Sequence, residues 1–416
     1  FFKQKTAYVI MPSLVGSEMC IRDRFVCVIL VINCGSSSLK FSLFDGEERV
    51  QSGLVERIGE VGPELVVGEQ RCQVVAGDHG EAMQRVREVM GVDNAIEAIG
   101  HRIVHGGERF FAAELVTPQV ERGIEDCAAL APLHNPAHLA GIRAAREYFP
   151  EVPQVVVFDT AFHQTLPERA YLYALPYELY EQEGIRRYGF HGTSHRYVAQ
   201  RAAELLQVEQ FTGITCHLGN GSSLAAIRDG QSVDTSMGLT PLAGVAMGTR
   251  SGDVDPAAVF HLARRRGLSL EQIETMLNHE SGLLGLSGRS QDLREVEQAA
   301  LEGDKRCLLA LEVFTYGVRK YIGAFLAVLG RIDAVVFTGG IGENSAAARR
   351  WILQDMKHLG LELDSARYRA HVGREGEISS FGAKTRILVV PTNEELVIVR
   401  ETRDVLVGSA GATDHG

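Results

Sequence analysis

The sequence predicts an α/β protein with two related domains, mainly because a strand–loop–strand pattern occurs twice. Residues 31–41 read V-I-N-C-G-S-S-S-L-K-F, after an apolar run and before an alternating run that ends in Asp-Gly. Residues 213–230 repeat the plan, because an apolar run leads into Asn220-Gly-Ser-Ser-Leu and a second alternating run again ends in Asp-Gly. A unit repeated at long range indicates a duplicated domain. The chain of 416 residues is long enough for two domains.

The first loop has the chemistry of a phosphate site. Residues 33–40 contain an asparagine, a glycine, three serines and Lys40, with no acidic residue among them. Glycine lets the backbone approach a ligand closely, and N–H groups and hydroxyls can donate to phosphate oxygens. Taken alone, the loop fits a solvated serine turn equally well. The second copy of the pattern favours phosphate binding.

Two phosphate-type hairpins on related domains would face each other across a cleft. This pattern resembles the actins, sugar kinases and heat-shock chaperone ATPases, which share the duplicated ribonuclease H-like plan. The resemblance implies ATP in a cleft between an N-terminal domain at 25–160 and a C-terminal domain at 161–396. Residues 397–416 are predicted to form a helix and tail that pack on the N-terminal domain. An output of motion or assembly, as in actins and chaperones, is the alternative from another class.

Composition and charge argue against several classes. The net charge of −11 argues against nucleic acid as the main partner. Seven cysteines without a C-x-x-C pair or a metal-like spacing indicate reduced thiols and a cytoplasmic location. No apolar run approaches the roughly 20 residues of a membrane helix. Residues 1–24 resemble a translated sequencing adapter and are interpreted as non-native; a signal peptide is disfavoured because the following apolar run ends in Asn-Cys-Gly.

Four polar residues have positions that suit chemistry. Arg102 lies between apolar residues and needs an anionic partner if buried, for which an internal salt bridge is the simplest explanation. Asp159 ends an apolar strand, where α/β folds place working carboxylates, although it can also cap a helix. His191 lies in R-Y-G-F-H-G, whereas His195 is predicted to begin a helix and to be structural. Arg250 is the strong cation of a glycine-rich loop at 235–255 that is too apolar for a linker.

Two further stretches suggest nucleotide contacts. The glycines of F-T-G-G-I-G-E-N, at 337–344, follow a predicted strand and precede a predicted helix, so that backbone can lie against a nucleoside. The Gly/Ser-rich residues 281–291 lead into Asp292 and Arg294 at a predicted helix start, where anions are attracted. The Rossmann glycine spacing is not met, and neither the P-loop motif nor G-x-S-x-G occurs in the chain.

Nine motifs together resemble one family. They are V-I-N-C-G-S-S-S-L-K, I-G-H-R-I-V-H-G-G, V-F-D-T-A-F-H, R-Y-G-F-H-G-T-S-H, H-L-G-N-G-S-S, M-G-T-R-S-G-D, S-G-x-S-x-D-x-R, F-T-G-G-I-G-E-N and P-T-N-E-E. In this order they resemble the acetate kinase family, whose propionate and butyrate kinases share part of the pattern. The resemblance extends from about residue 26 to the C-terminal tail.

The resemblance implies a role for each matched residue. The magnesium site, with manganese as the alternative metal, matches Asn33 and Glu394, and the catalytic group matches Asp159, His191 and Arg250. The acetate carboxylate would bind Arg102, beside a methyl pocket of Val104, Leu133, Phe190 and Pro241. The nucleotide-binding matches are Lys40, Ser36, Ser38, His217, Leu218, Gly219, Asn220, Gly221, Asp292, Leu293, Arg294, Gly340, Ile341, Gly342, Glu343 and Asn344.

The implied reaction is reversible, magnesium-dependent transfer of the ATP γ-phosphoryl group to acetate, giving acetyl phosphate and ADP by direct in-line transfer. Acetate is ionised at pH 7, so no base is required, and Asp159 is expected to orient Arg250 or the water shell of magnesium. Arg250, His191 and Lys40 are expected to neutralise the transferring group. The family also implies a homodimer, and an apolar helix predicted at 308–329 suits either a core or an interface.

Overall fold

The computed structural model describes residues 28–91, 95–132 and 134–413, and it contains two β-sheets with helices packed on them. The predicted non-native segment 1–24 and Leu133 of the predicted methyl pocket lie outside the described residues. The strands of the first sheet are β1 (Val28–Gly35), β2 (Ser38–Asp45), β3 (Glu48–Glu56), β4 (Glu64–Val67), β5 (Gln70–Gln73), β6 (Ile96–Ile103), β7 (Glu114–Leu115) and β8 (Gln154–Phe158).

The second sheet repeats the plan of the first. Its strands are β9 (Gly213–Leu218), β10 (Ser222–Arg228), β11 (Gln231–Thr235), β12 (Ala334–Thr338), β13 (Gly376–Glu377) and β14 (Arg386–Val389). The first sheet contains the order β3-β2-β1-β6-β8 and the second contains β11-β10-β9-β12-β14. In both, two antiparallel pairs are followed by two parallel pairs. The predicted duplicated α/β fold is therefore confirmed, whereas the residue boundaries of the domains stay a prediction.

The helices cover the faces of the sheets. Within the described residues they are α1 (His79–Met90), α2 (Pro118–Asp126), α3 (Asn135–Tyr148), α4 (Glu168–Tyr171), α5 (Tyr177–Glu183), α6 (Gly192–Leu206), α7 (Ala257–Arg266), α8 (Leu270–His279), α9 (Gly282–Ser287), α10 (Leu293–Leu301), α11 (Lys305–Leu329), α12 (Gly339–Asn344), α13 (Ala346–Leu353), α14 (Arg367–Ala370) and α15 (Glu394–Thr413). None of these helices is long and apolar enough to cross a membrane.

The largest apolar core lies between the second sheet and α11. Phe314, Val318 and Ile322 on one face of α11 are buried against strand residues such as Val335 and Phe337. The predicted apolar helix is thus a core helix on that face, and it begins slightly earlier than predicted because the Asp304 side chain accepts from the N–H groups of its first turn.

The C-terminal helix α15 returns to the first sheet. Ile398 and Val399 are buried against Ile29, Val31 and Val157 of β1 and β8. Gly100 of β6 allows this close approach, because a Cβ at that position would lie 2.6 Å from the Ile398 side chain. The first and last elements of the described residues, β1 and α15, therefore lie on the same sheet, and Glu394, the first residue of α15, is held near the ends of β1, β6 and β8.

Parallel pairing places the candidate residues at shared edges. The strands β1, β6 and β8 run parallel, so the residues near and after their carboxyl ends come to one edge of the first sheet. The strands β9, β12 and β14 do the same in the second sheet. Ligands of open α/β sheets bind outside the carboxyl ends of strands. The two edges are therefore where the site is expected.

Candidate active site

Side chains from both edges meet in one charged cluster. Arg102, near the end of β6, donates to Asp159 through Nε–Oδ1 at 3.0 Å and Nη2–Oδ2 at 2.7 Å. Its Nη2 also lies 3.6 Å from Glu394 Oε2. The Thr193 hydroxyl, in the first turn of α6, lies 3.4 Å from Asp159 Oδ1 and 3.2 Å from Glu394 Oε2. The cluster links a strand end of the first sheet to α6 and α15.

The charges in this cluster support one another. Burial opposes the charge on Arg102, but Asp159 and Glu394 raise its pKa above the ordinary value. Burial likewise works against an ionised Glu394, yet Arg102 and His217 bring its pKa below the ordinary value. Burial raises the pKa of Asp159, and the two-point contact with Arg102 opposes that rise by favouring the ionised form. Glu394 is thus a carboxylate at neutral pH.

The contacts correct one of the two expectations for Asp159. Its carboxylate binds Arg102 and not Arg250, and no backbone N–H of the described residues donates to it as to a helix cap, whereas a role in orienting the water shell of magnesium stays a prediction. The internal salt bridge considered for Arg102 is therefore present in this state of the protein. The reason lies in topology: β6 and β8 are neighbouring parallel strands, so Arg102 and Asp159 emerge side by side at the same edge.

Asn33 and Glu394 line one cavity of about 220 Å³, together with Lys40, Arg102 and Thr392. Carboxylate and amide oxygens are ligands that magnesium accepts, and this ion usually keeps several waters and takes phosphate oxygens of the substrate. No hydrogen bond from another described residue occupies the Asn33 side chain. The residues therefore fit a magnesium ion. The described residues contain no group of three or more His, Cys, Asp or Glu side chains suited to a metal, as expected for a site with so few protein ligands.

The first phosphate-type loop lies beside this cavity. Lys40 faces Asn33 across the β1–β2 pair, and Ser38 faces Gly35 where the hairpin closes. The Lys40 ammonium contacts Glu395 at 2.7 Å and is half exposed. It is thus paired with an acid and not with the serines of the loop. Ser36 is exposed at the turn.

The second phosphate-type loop and α12 form a continuous wall. Gly219 N–H donates to Gly221 O at 3.1 Å, and a Cβ on Gly219 would lie 3.8 Å from the Gly340 nitrogen. Glu343 accepts from the N–H groups of Gly339 at 2.8 Å and Thr392 at 3.0 Å. The structure therefore brings the predicted segments 217–221 and 340–344 together and gives Glu343 a structural role.

The glycine segment differs from its prediction in one respect. The glycines were expected to precede a helix, but α12 begins at Gly339 itself because Glu343 accepts the Gly339 N–H at the start of the helix. The Asn344 amide donates to Gly340 O at 2.9 Å and closes the same turn. Leu218 and Ile341 lie within this wall, Leu218 fully buried at the end of β9.

The two charged side chains of the predicted segment 292–294 stay at the surface. Asp292 caps α10 and pairs with the exposed Arg294, whose Nη2 lies 2.6 Å from Asp292 Oδ2. Among the described residues neither side chain has a hydrogen bond or ion pair with the other candidates. Helix α10 is also joined to the end of α12. Glu297 of α10 accepts a hydrogen bond at 2.6 Å from the hydroxyl of Ser345, the residue after α12. Leu293 is buried in the core.

Arg250 is an unpaired cation that faces the second loop. Its Nη1 donates to Pro241 O at 3.1 Å, and no carboxylate of the described residues pairs with it. A Cβ on Gly221 would lie 3.6 Å from Arg250 Nη1 and 3.3 Å from His191 Nε2, so both groups border the same space. Gly248 lets the Arg250 loop approach, because a Cβ there would overlap the Asn220 side chain. Burial lowers the pKa of Arg250 from its ordinary value.

His191 is held in an unusual backbone position. It has φ of 57°, immediately before α6, and its ring stacks on His217 with centroids 4.3 Å apart. Burial, with the nearby charge of His217, brings the pKa of His191 well below its ordinary value. His191, which was expected to help neutralise the transferring group, is thus a neutral imidazole at pH 7, and it can assist a phosphate only by donating a hydrogen bond from its protonated nitrogen. His195 lies inside α6, not at its start as predicted, because the helix begins at Gly192.

The apolar pocket contains residues that the sequence did not single out. Phe190, Met237 and Met247 form a small buried cluster, with Val104 packed against it. The Met247 sulfur lies 3.7 Å from Arg250 Nη1, so the cluster borders the cation. Both methionines belong to the glycine-rich loop. The apolar composition of that loop is the sequence feature that indicates them. Thr193 is a further residue of the site that the sequence did not single out, although it lies in the motif around His191.

The duplicated ribonuclease H-like fold, taken with the family that the sequence matches, defines a phosphotransferase. Residues 28–400 match the acetokinase family, and the chain belongs to that family and is a kinase. It is 50% identical over 396 residues to an acetate kinase of Clostridium botulinum (strain Okra / Type B1), covering 91% of this chain and 99% of that protein. An acetate kinase of Thermotoga petrophila (strain ATCC BAA-488 / DSM 13995 / JCM 10881 / RKU-1) is also 50% identical, with 91% and 98% covered.

Solved structures give the same picture. The Porphyromonas gingivalis acetate kinase superposes with a TM-score of 0.88 at 42% identity, covering 92% of this chain and all of that one. A propionate kinase from Francisella tularensis superposes with a TM-score of 0.87 at 43% identity, with 91% and 100% covered. The fold is thus shared by relatives named for two different carboxylates, acetate and propionate.

Proposed function

We propose that this kinase transfers the γ-phosphoryl group of ATP to acetate, reversibly and by direct in-line transfer, giving acetyl phosphate and ADP. The observation that carries the proposal is the position of Arg102. Its guanidinium lies at a strand end where the two sheet edges meet, two residues from Val104 of the small apolar cluster. A cation beside a small apolar pocket suits a short carboxylate with a methyl group.

The substrate carboxylate takes the place of Asp159 or shares Arg102 with it. A guanidinium has five N–H donors in a planar fork, so it can bind a second carboxylate beside the first. Asp159 then holds Arg102 in position and balances its charge before substrate arrives. Since acetate is already ionised, Asp159 has no proton to remove.

Arg250 and the neutral His191 stabilise the transferring group. Phosphoryl transfer depends on positioning and charge stabilisation more than on covalent help. Both side chains border the space at Gly221 and can donate hydrogen bonds to the equatorial oxygens. Magnesium held by Asn33 and Glu394, or manganese in its place, would neutralise phosphate charge when bound. Lys40 would exchange Glu395 for a phosphate oxygen.

The product distinguishes this proposal from its alternatives. Purified protein with ATP, magnesium and acetate should form an acyl phosphate that hydroxylamine traps as the hydroxamate. Propionate and butyrate, tested in parallel, should give lower kcat/KM. Inorganic phosphate released without acetate, with no hydroxamate, would contradict phosphoryl transfer to a carboxylate and favour an actin- or chaperone-like ATPase. A higher kcat/KM with propionate or butyrate would move the assignment to those kinases.

Arg102→Ala is expected to raise the acetate KM at least 10-fold while the ATP KM changes little, because the loss of a charge-assisted contact falls on one substrate. Steady-state kinetics with each substrate varied in turn measure both constants. Urea unfolding of the variant checks that Asp159, left without its partner, has not unfolded the protein. Equal changes in the two constants would instead assign Arg102 a purely structural role.

We further propose a homodimer. The outer face of α11 exposes Leu309, Val313 and Tyr316, which are spaced to lie on one side of the helix. Light scattering at micromolar concentration should give about twice the chain mass of 45.4 kDa, and Val313→Glu should reduce it. A monomer in wild-type protein would contradict this proposal.

A cytoplasmic location is proposed on the cysteines. Those in the described residues are free thiols, and Cys34, Cys127, Cys216 and Cys307 are buried. Proteins of oxidising compartments usually pair their cysteines. Fractionation of cells that express the protein would test the location.

A further inference from the structure

The tautomer of His191 decides what the site offers to a phosphoryl oxygen. Its Nδ1 lies 2.9 Å from Ser223 Oγ, and its Nε2 borders the space at Gly221 without a hydrogen bond to any described residue. A neutral imidazole carries one proton, so one nitrogen donates and the other accepts. Only a proton on Nε2 gives a donor that faces the substrate. A proton on Nδ1 would present a lone pair that repels phosphate.

A series of buried side chains joined by hydrogen bonds continues from Ser223 into the protein interior. Ser223 Oγ also lies 2.8 Å from His195 Nε2, and His195 Nδ1 lies 2.7 Å from Thr215 Oγ1. Thr215, His195 and Ser223 are fully buried. Burial, with the nearby charge of His163, brings the pKa of His195 well below its ordinary value, so this ring is neutral as well. Each of the two rings therefore carries one proton, on one of its two nitrogens.

Two neutral rings with two tautomers each give four proton arrangements, and in three of them the hydroxyl hydrogen of Ser223 or Thr215 has no acceptor among the described residues. If Thr215 O–H donates to His195 Nδ1, then His195 Nε2–H donates to Ser223, Ser223 O–H donates to His191 Nδ1, and the His191 proton is on Nε2. In the opposite direction, the Thr215 hydroxyl hydrogen would have no acceptor among the described residues. A buried donor without a partner costs about 1–3 kcal/mol. The first direction leaves only the His191 Nε2–H without a protein partner, and this nitrogen borders the site and is not among the buried unpartnered atoms, so this direction is favoured.

We propose that Thr215, His195 and Ser223 are positioning residues that form a relay and keep the proton of His191 on Nε2, so that this nitrogen donates to the transferring phosphoryl group. The catalytic part of the proposal rests on the proposed phosphoryl transfer to acetate. The three residues touch no substrate and act only through His191. Because the relay begins at the hydroxyl of Thr215, a strand residue, the tautomer of His191 is set in the folded protein before substrate binds.

The surroundings leave His191 little freedom other than its tautomer. The ring stacks on His217, and the preceding Phe190 carbonyl accepts from His163 Nε2 at 3.0 Å. Because a carbonyl only accepts, His163 must carry its proton on Nε2, and its Nδ1 accepts from Ser232 at 2.8 Å. The backbone and the ring plane of His191 are therefore fixed independently of the relay.

The resting protein tests the tautomer directly. Histidine side chains labelled with 15N give two-bond correlation spectra in which the two neutral tautomers and the cation differ, and a His191→Asn sample assigns the signal. At pH 7.5 the His191 signal should show protonated Nε2. Protonated Nδ1, or a doubly protonated ring, would overturn the proposal.

Variants of the relay test its effect on catalysis. Thr215→Val removes the terminal donor, so the His191 signal should shift towards a mixture of tautomers and kcat should fall about 10-fold, less than the 10²–10³-fold that loss of a whole donor costs. The KM values should stay within about twofold, because the missing interaction belongs to the transition state. Thr215→Ser keeps the hydroxyl and should restore both readouts.

Ser232→Ala is the matched control. It removes a serine hydroxyl from another buried histidine, His163, whose tautomer is already set by the Phe190 carbonyl. Its His191 signal and kcat should match wild type. Unchanged His191 signal and kcat in Thr215→Val would overturn the relay. Wild-type protein that makes no acyl phosphate yet shows protonated Nε2 would refute the proposed function and leave the relay in place.

Discussion

Replacing Arg250 with alanine is expected to lower turnover by about 10²–10³-fold, the usual cost of one preorganised donor in such a site, while ATP affinity stays nearly intact. The guanidinium has no carboxylate partner among the described residues and is held by the Pro241 carbonyl at 3.1 Å. A partly buried cation without an anion is costly unless a ligand supplies one. We expect Arg250 to contact the phosphoryl group most closely in the transition state. The variant should therefore lower kcat much more than it weakens ATP binding.

Two further variants sharpen this result. Arg250→Lys should rescue little, because a point charge lacks the planar fork that reaches two oxygens. Arg265→Ala, on an exposed residue near the end of α7, is the matched control and should keep wild-type turnover. Turnover and nucleotide binding are measured for all three. Near-normal turnover of Arg250→Ala, or a proportional loss of ATP binding, would show that the assigned role is wrong.

The duplicated fold could be predicted from sequence because local signals agreed with it. Period-two runs, Asp-Gly turns and a polar loop recur in the same order around Asn33 and Asn220. The parallel strands that follow are short apolar runs, and their ends mark Arg102 and Asp159. Since carboxyl ends of parallel strands share an edge, such residues can be grouped without coordinates.

The pairing of these groups could not be predicted in the same way. Asp159 binds Arg102 and not Arg250 because β6 and β8 are neighbours, which depends on strand order. The neutral state of His191 depends on burial by segments distant in sequence. Met237 and Met247 join Phe190 only after a long loop folds back. These facts depend on tertiary contacts, and local patterns do not report them.

Stability should fall steeply when the pH is lowered from 6.5 to 5, because several histidines are buried as neutral rings. Burial lowers the pKa of His101, His105 and His163 to about 4, and that of His138 to about 3. The first, His101, is fully enclosed and lies 2.9 Å from the Gln154 side-chain amide. Protonating any of these rings in the folded protein would bury a charge.

The direction of this pH dependence follows from the number of protons that the folded and the unfolded states bind. An unfolded histidine has a pKa of about 6.5, so between pH 6.5 and 4 the unfolded chain binds protons that the folded protein does not. The free energy of unfolding then decreases as pH falls, by about 2 kcal/mol per histidine at pH 5. Four histidines sum to about 8 kcal/mol, which is comparable to the total stability of a typical domain. Carboxyl groups with lowered pKa values, such as Glu394 and Glu395, lose their contribution to stability at pH values below this range.

Urea unfolding at pH 7.5, 6.5, 5.5 and 5.0, followed by circular dichroism, measures the slope. His101→Phe removes one titrating ring of similar size, so its slope should be smaller by about one proton, about 1.4 kcal/mol per pH unit, whatever its stability at pH 7.5. His261→Gln, at an exposed position of α7, is the control and should keep the wild-type slope. Stability that is flat between pH 6.5 and 5, or a His101→Phe slope equal to wild type, would mean that these histidines do not set the acid limit.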